Sequence, residues 1–152
     1  MLLKEVLSQK SGEVRTISPH ASLADVVAEL VRYNIGSLLV RDSSRGQIQG
    51  IITERDILRV LARQQQPLAQ LRVAEVMTRQ LITAQPDDDT TTAMGLMTTH
   101  RIRHLPVIQG QELYGIVSIG DIVKAHHDEL EAENFHMRSY IQGGTSVATP
   151  LL

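Results

Sequence analysis

Gly50-Ile51-Ile52-Thr53-Glu54-Arg55-Asp56-Ile57 returns further along the chain as Gly115-Ile116-Val117-Ser118-Ile119-Gly120-Asp121-Ile122. Each stretch reads as the end of a strand, glycine then aliphatics, followed by Thr/Ser-x-x-Asp opening a helix. Working outward, Ile35-Gly36-Ser37-Leu38-Leu39-Val40 precedes the first copy and Ile102-Arg103-His104-Leu105-Pro106-Val107 precedes the second. Thr16-Ile17-Ser18-Pro19 and Thr83-Ala84-Gln85-Pro86 extend the correspondence upstream. Ile35 and Ile102 are 67 positions apart, while Gly50 and Gly115 are 65 apart. The second copy is therefore two residues shorter where a hairpin turn would lie. An internal repeat of this kind decides the architecture before any local feature does.

At 152 residues the chain has the length of one domain or two very small ones. A copy of roughly 60 residues alone buries only about 60% of its unfolded surface, which favours two copies sharing one core. The net charge of -2 leaves no basic footprint for nucleic acid, and 3% aromatics leave few platforms for stacking bases. No apolar run approaches the roughly 20 residues that span a bilayer, and Met1-Leu2-Leu3-Lys4-Glu5 does not read as a signal peptide. With no cysteine, disulfide and thiolate chemistry are excluded, and a cytoplasmic location is the expectation.

The pattern predicts a helix over Leu2 to Gln9, broken by Ser11-Gly12, and a short strand over Val14 to Ile17. Ser22 can cap a helix whose apolar stripe is Leu23, Val26, Val27, Leu30 and Val31. Strands over Ser37–Arg41 and Gln47–Thr53 flank turn residues Asp42-Ser43-Ser44-Arg45-Gly46. A helix over Asp56 to Gln65 carries Ile57, Leu58 and Leu61 on one side. After the polar link Gln64-Gln65-Gln66-Pro67, a helical turn over Val73 to Met77 reopens the pattern. The second copy predicts a strand over Leu81–Thr83, a helix over Thr90–His100 and strands near His104–Ile108 and Glu112–Ser118. A last helix starts at Ile119 and runs toward Tyr140 until Gly143-Gly144, and the tail Thr145 to Leu152 has no pattern. Each copy is thus strand-helix-strand-strand-helix, an α/β unit with its sheet covered by helices. The divisions are residues 1–68 for the first repeat with its leading helix, 69–127 for the second, and 128–152 for the extended helix and tail.

Thr53-x-x-Asp56 and Ser118-x-x-Asp121 have two compatible readings. One is a capping box, in which hydroxyl and carboxylate satisfy free backbone N–H groups. The other is a ligand site, because a helix N-terminus offers unpaired N–H groups and a positive dipole end to an anion. The carboxylate beside it suits the two hydroxyls of a ribose. Thr99-His100-Arg101-Ile102-Arg103-His104 discriminates further, since the first copy has Asn34-Ile35-Gly36-Ser37 at that place. An arginine fork near a helix N-terminus makes a phosphate clamp.

Taken together, the Gly50–Ile57 stretch, the linker Val73-Ala74-Glu75-Val76-Met77-Thr78 and Arg103-His104-Leu105-Pro106-Val107 resemble a tandem CBS-domain pair, or Bateman module. The likeness runs from about Leu2 to Lys124 and extends to the regulatory region of inosine monophosphate dehydrogenase and to small stand-alone bacterial members. It implies two pseudo-symmetric repeats whose facing copies lend residues to each other's sites. The resemblance puts Thr53, Asp56, Met77, Thr78, Ile82, Arg103 and His104 in a main site, with Asp on the ribose and Met77, Thr78 and Ile82 walling the base. It puts Thr16, Gly36, Ser37, Ser118 and Asp121 in a second, weaker site that lacks the paired basic residues, or that prefers an uncharged adenosyl group. The implied ligand is an adenine nucleotide, AMP, ADP, ATP or NAD, sensed by a non-catalytic regulatory module that signals to an effector protein. A flat homodimer formed through helices is also implied. The alternative is a ligand-free CBS scaffold acting only through protein contacts.

Other signals are weaker. Asp87-Asp88-Asp89 precedes a helix and suits its dipole. His126, His127 and His136 read as a solvated helix face rather than a metal site, and Met94 and Met97 read as core filler. No nucleophile triad, Walker loop or dinucleotide fingerprint is present, so catalysis is not expected.

Overall fold

A computed structural model describes residues 1–43, 46–63 and 66–144. The expected turn residues Ser44 and Arg45, the link residues Gln64 and Gln65, and the tail from Thr145 lie outside the described residues. In chain order the elements are α1 (Leu3–Gln9), β1 (Thr16–Ile17), α2 (Leu23–Tyr33), β2 (Ser37–Val40), β3 (Gly50–Thr53) and α3 (Glu54–Arg63). A 3-10 turn (Leu68–Gln70) and α4 (Val73–Val76) follow, then α5 (Thr90–His100), β4 (His104–Gln109), β5 (Glu112–Ser118) and α6 (Ile119–Gly144).

Helix starts and stops follow local chemistry. The Ser22 hydroxyl accepts from the Asp25 N–H at 3.1 Å, and the Asp25 carboxylate accepts from the Ser22 N–H at 3.0 Å, closing a capping box on α2. Asp89 caps α5 by accepting from the Thr91 N–H at 2.7 Å. Both α2 and α5 end on a left-handed residue, Asn34 (φ 50°) and Arg101 (φ 54°), at matching places in the two copies. The last helix continues through Gly143-Gly144 rather than stopping before them.

The first sheet is three-stranded. β1 lies parallel to β2 with Ile17 beside Val40, and β2 runs antiparallel to β3 with Ser37 opposite Thr53. Among the described residues the second sheet consists of β4 and β5, antiparallel, with His104 opposite Ser118. No strand forms over Leu81–Thr83; a single residue, Ala84, bridges to Val107 instead. The cause is one proline. In the first copy the Leu39 N–H donates to the Arg15 carbonyl and the Arg41 N–H to the Ile17 carbonyl. Pro106 stands where Leu39 does and has no N–H to give, so that one bond is lost, while the Ile108 N–H to Ala84 carbonyl bond (2.8 Å) and the Ala84 N–H to Pro106 carbonyl bond (3.0 Å) remain.

Most of the buried residues fall into two clusters rather than one shared core, with Leu39 and Ile51 buried outside both. One gathers Leu23, Val26, Leu30, Leu38, Val40, Ile52, Ile57 and Val60 with Leu71, Val73 and Met77 of the linker. The other gathers Ala93, Met97, Leu105, Val107, Val117, Ile122 and Ala125 with Leu3 and Val6 of α1. The short helices are exchanged. α1 precedes the first copy yet completes the second, and α4 packs back on the first. Their geometry matches: the Leu2 N–H donates to Glu5 at 2.6 Å, and the Arg72 N–H donates to Glu75 at 2.7 Å. Leu7 lies against Gly115 as Met77 lies against Gly50, where a Cβ would come within 3.0 Å of either side chain. Each fully buried aliphatic contributes about 1.5–3 kcal/mol, so these borrowed side chains matter to cores this small.

Two faces differ from the periodic reading. In α3 the inward residues are Asp56, Ile57 and Val60, while Leu58 and Leu61 are exposed. Asp56 turns inward to cap, and Ile57 and Val60 then share its side at helical spacing. In α2, Leu23, Val26 and Leu30 are buried but Val31 faces solvent.

Candidate functional site

A cleft of about 760 Å³ opens between the two copies. The first copy contributes Ile51, Thr53, Glu54, Arg55, Asp56, Leu58 and Arg59, and the linker contributes Thr78, Gln80, Leu81 and Ile82. The second copy contributes the whole stretch His100 to His104, with Pro106. Six of the seven residues expected in the main site line this one cleft: Thr53, Asp56, Thr78, Ile82, Arg103 and His104. Met77 does not. Its side chain is buried in the first core against Gly50, leaving its neighbour Thr78 at the wall. Thr78 is held there by two backbone bonds to Ile51, 2.9 and 3.0 Å long.

Asp56 is 8% exposed and sits at the start of α3. One carboxylate oxygen accepts from the Thr53 N–H at 3.0 Å and the Thr53 hydroxyl at 3.2 Å, while the Asp56 N–H donates to that hydroxyl at 3.3 Å. The capping box is therefore formed. The other oxygen has the Arg59 guanidinium at 3.9 Å and keeps acceptor capacity toward the cleft. Arg55 crosses to the second copy, donating to the Arg101 carbonyl at 3.3 Å.

His104 reaches across from the second copy to Gly36 of the first. Gly36 makes room for it: a Cβ there would lie 2.9 Å from Glu54 and 3.0 Å from the His104 ring. Burial lowers the His104 pKa below its usual 6.5, outweighing the nearby Glu54 carboxylate, which acts in the opposite direction. The cleft thus carries four arginines and a neutral-leaning imidazole beside aliphatic walls. Such a lining suits a ligand with an anionic end and a flat apolar end.

The expected second site is organised differently. Ser118 and Asp121 repeat the capping box, with Ser118 N–H to carboxylate at 2.9 Å and Asp121 N–H to hydroxyl at 3.1 Å. Yet Lys10, just after α1, donates to that same Asp121 oxygen at 2.9 Å and to the Ile116 carbonyl at 3.1 Å. Burial pushes the Asp121 carboxyl up, but Lys10 and the Ser118 N–H together hold it below 3.8. The cavity beside Asp121, about 530 Å³, is lined by α1 and α6 and includes none of Thr16, Gly36, Ser37 and Ser118. Thr16 is tied into β1, Ser37 is buried opposite Thr53, and Gly36 is packed by His104. Where Ile82 and His100 line the first cleft, the repeat places Arg15 and Tyr33, and the Arg15 guanidinium stacks 3.8 Å over the Tyr33 ring.

Arg55 and Arg59 escaped the sequence reading. Their signal was available, since both lie within one turn of Asp56 on the helix that follows it. Lys10 was not legible, because its contact with Asp121 joins residues far apart in the chain.

The CBS domain model matches residues 3–63 and 73–128. A mitochondrial CBS domain-containing protein of Arabidopsis thaliana is 41% identical over 123 residues, 79% of this chain and 60% of that protein, so the chain spans less than two thirds of that relative. The crystal structure of a CBS-domain protein from Agrobacterium tumefaciens superposes with a TM-score of 0.78 at 36% identity, covering 82% of this chain and 92% of that one. A CBS domain protein of Pyrobaculum aerophilum, solved in complex with AMP, gives 0.70 at 25% identity over 80% and 89% of the two chains. Two matched domains, the duplicated capping box and the superposition agree: the chain belongs to the CBS-domain family and is a tandem CBS pair.

Proposed function

We propose that this CBS pair is a non-catalytic sensor that binds one adenine nucleotide in the cleft between its copies. The observation that carries the reading is a buried carboxylate from one copy sharing a cleft with Arg103 and His104 from the other. Asp56 takes the ribose hydroxyls, Thr53 and Arg103 take the phosphate, and Ile51, Ile82 and Pro106 flank the base. The Pyrobaculum relative's AMP complex supports the ligand class. Arg55, Arg59 and Arg101 add cationic lining, which favours a ligand with more than one phosphate charge among AMP, ADP, ATP and NAD.

A ligand that touches both copies favours one relative arrangement of them, and its leverage equals its differential affinity for that arrangement. The module passes this on as a homodimer, through helix faces that expose Leu61 and Val123, to an effector protein. Among the described residues no helix is long and apolar enough to cross a membrane.

A thermal-shift panel of AMP, ADP, ATP, NAD, NADH and S-adenosylmethionine tests the reading. A ligand at 100 times its dissociation constant stabilises by about 2.7 kcal/mol, which moves the midpoint by several degrees. A selective shift supports the sensor. No shift with any of the six supports the ligand-free scaffold.

A further inference from the structure

Helix α6 outruns the domain it belongs to. Its last buried residue is Ala125, and every residue from His126 to Gly143 is exposed, a projection of about 27 Å at 1.5 Å per residue. Along it Val123, Leu130 and Met137 recur at seven-residue steps, and Ile141 falls in the same stripe, all between 57% and 65% exposed. His127 and Asn134 complete the line at the alternate three- and four-residue steps. In heptad terms Val123, Leu130 and Met137 occupy d, and His127, Asn134 and Ile141 occupy a.

The flanking charges decide what covers this stripe. Position e carries Lys124, Glu131 and Arg138; position g carries His126, Glu133 and Tyr140. In a parallel pair, g faces e of the following heptad in the other helix. Glu133 then meets the second copy's Arg138, while the His126 ring stays on the Thr90 hydroxyl of its own copy at 3.0 Å. In the antiparallel pair that buries the whole stripe, Glu131 meets Glu131, Glu133 meets Glu133 and Lys124 meets Arg138. Every flanking charge pair would repel. Asn134 adds a second argument, because a lone asparagine at a pairs with its own copy only when two helices run parallel and in register.

We infer that the projecting half of α6 zips against the same segment of a second copy as a short parallel coiled coil. The inference rests on the homodimer proposed above and assigns it an interface outside the two CBS domains. Val123 links the two surfaces, since it belongs both to the exposed domain face and to the stripe. About two and a half heptads are too few to hold alone, so the zipper acts together with the domain contact and keeps both modules side by side.

The chain has no cysteine, so single introduced thiols report pairing cleanly. Under mild oxidation Met137→Cys should form a disulfide dimer almost completely, while Phe135→Cys, on the outward side, should stay unlinked. Light scattering should show a dimer for the unmodified chain, with nucleotide titration of Met137→Cys unchanged. A dimer without Met137 cross-linking overturns the zipper and leaves the domain dimer standing. Cross-linking at Glu131→Cys instead makes the helices antiparallel and overturns it too. A monomer overturns both, and the nucleotide reading is judged separately by titration.

Discussion

The two clefts of this molecule start from the same eight-residue pattern and end in different states. Asp56 and Asp121 close the same capping box, with hydroxyl and carboxylate bonds between 2.9 and 3.3 Å. Around Asp56 the other copy delivers Arg101, Arg103 and His104 across an open cleft. Around Asp121 the chain's own Lys10 delivers the cation directly to the carboxylate. The comparison teaches that a capping box positions a carboxylate, and that the neighbours brought by the fold decide whether it faces a ligand or an internal ion pair.

The largest break in that comparison should come from the carboxylates themselves. Asp56→Asn should weaken nucleotide binding by about two orders of magnitude, since each hydrogen bond to a charged partner contributes about 1.5–3 kcal/mol. Asp121→Asn should leave it within twofold. Isothermal titration of both variants reads the difference, and the reverse result would exchange the roles of the clefts. Next comes the basic wall: Arg103→Ala should cost about 1.5–3 kcal/mol of binding, with Ser37→Ala silent. Binding indifferent to Arg103 but lost with Ser37 would again put the ligand on the other side.

The smallest effect sharpens the second cleft. Asp121 has a folded pKa below its ordinary 3.8, so its contribution to stability is present above that value. It is lost as pH falls through the depressed folded pKa. Lys10→Ala removes a partly exposed pair worth about 1 kcal/mol or less near neutrality. It should also flatten the loss of stability below about pH 4, because without Lys10 the folded and unfolded pKa values of Asp121 lie closer together. Thermal melts from pH 5 to pH 3 on both proteins check this. Parallel acid limbs would mean that Lys10 contributes no linkage.

Much of this architecture was legible because the repeat carries it. Ser22-x-x-Asp25, Thr53-x-x-Asp56 and Ser118-x-x-Asp121 mark helix starts, and the structure forms all three boxes. The cluster His100 to His104 stood out because Asn34 to Ser37 holds its place in the other copy. Two of the failures depend on a distant partner, and one on a local cap. The strand at Leu81–Thr83 is missing through a proline on the neighbouring strand. Leu58 and Leu61 read as core until Asp56 turns inward and sets the helix face. Lys10 plugs Asp121 only because α1 crosses to the second copy.

That crossing has a consequence for how the protein is made. α1 is translated ahead of both sheets, yet the surface it completes includes Val117, Ile122 and Ala125. At about 5–20 residues per second, its apolar residues wait on the order of ten seconds for that surface to leave the ribosome. Meanwhile the first domain can close on α4 as soon as the linker emerges. The order of assembly is therefore inverted: α1 emerges ahead of both sheets yet is among the last elements to be buried, and Leu3 and Val6 are the side chains a nascent-chain chaperone would meet.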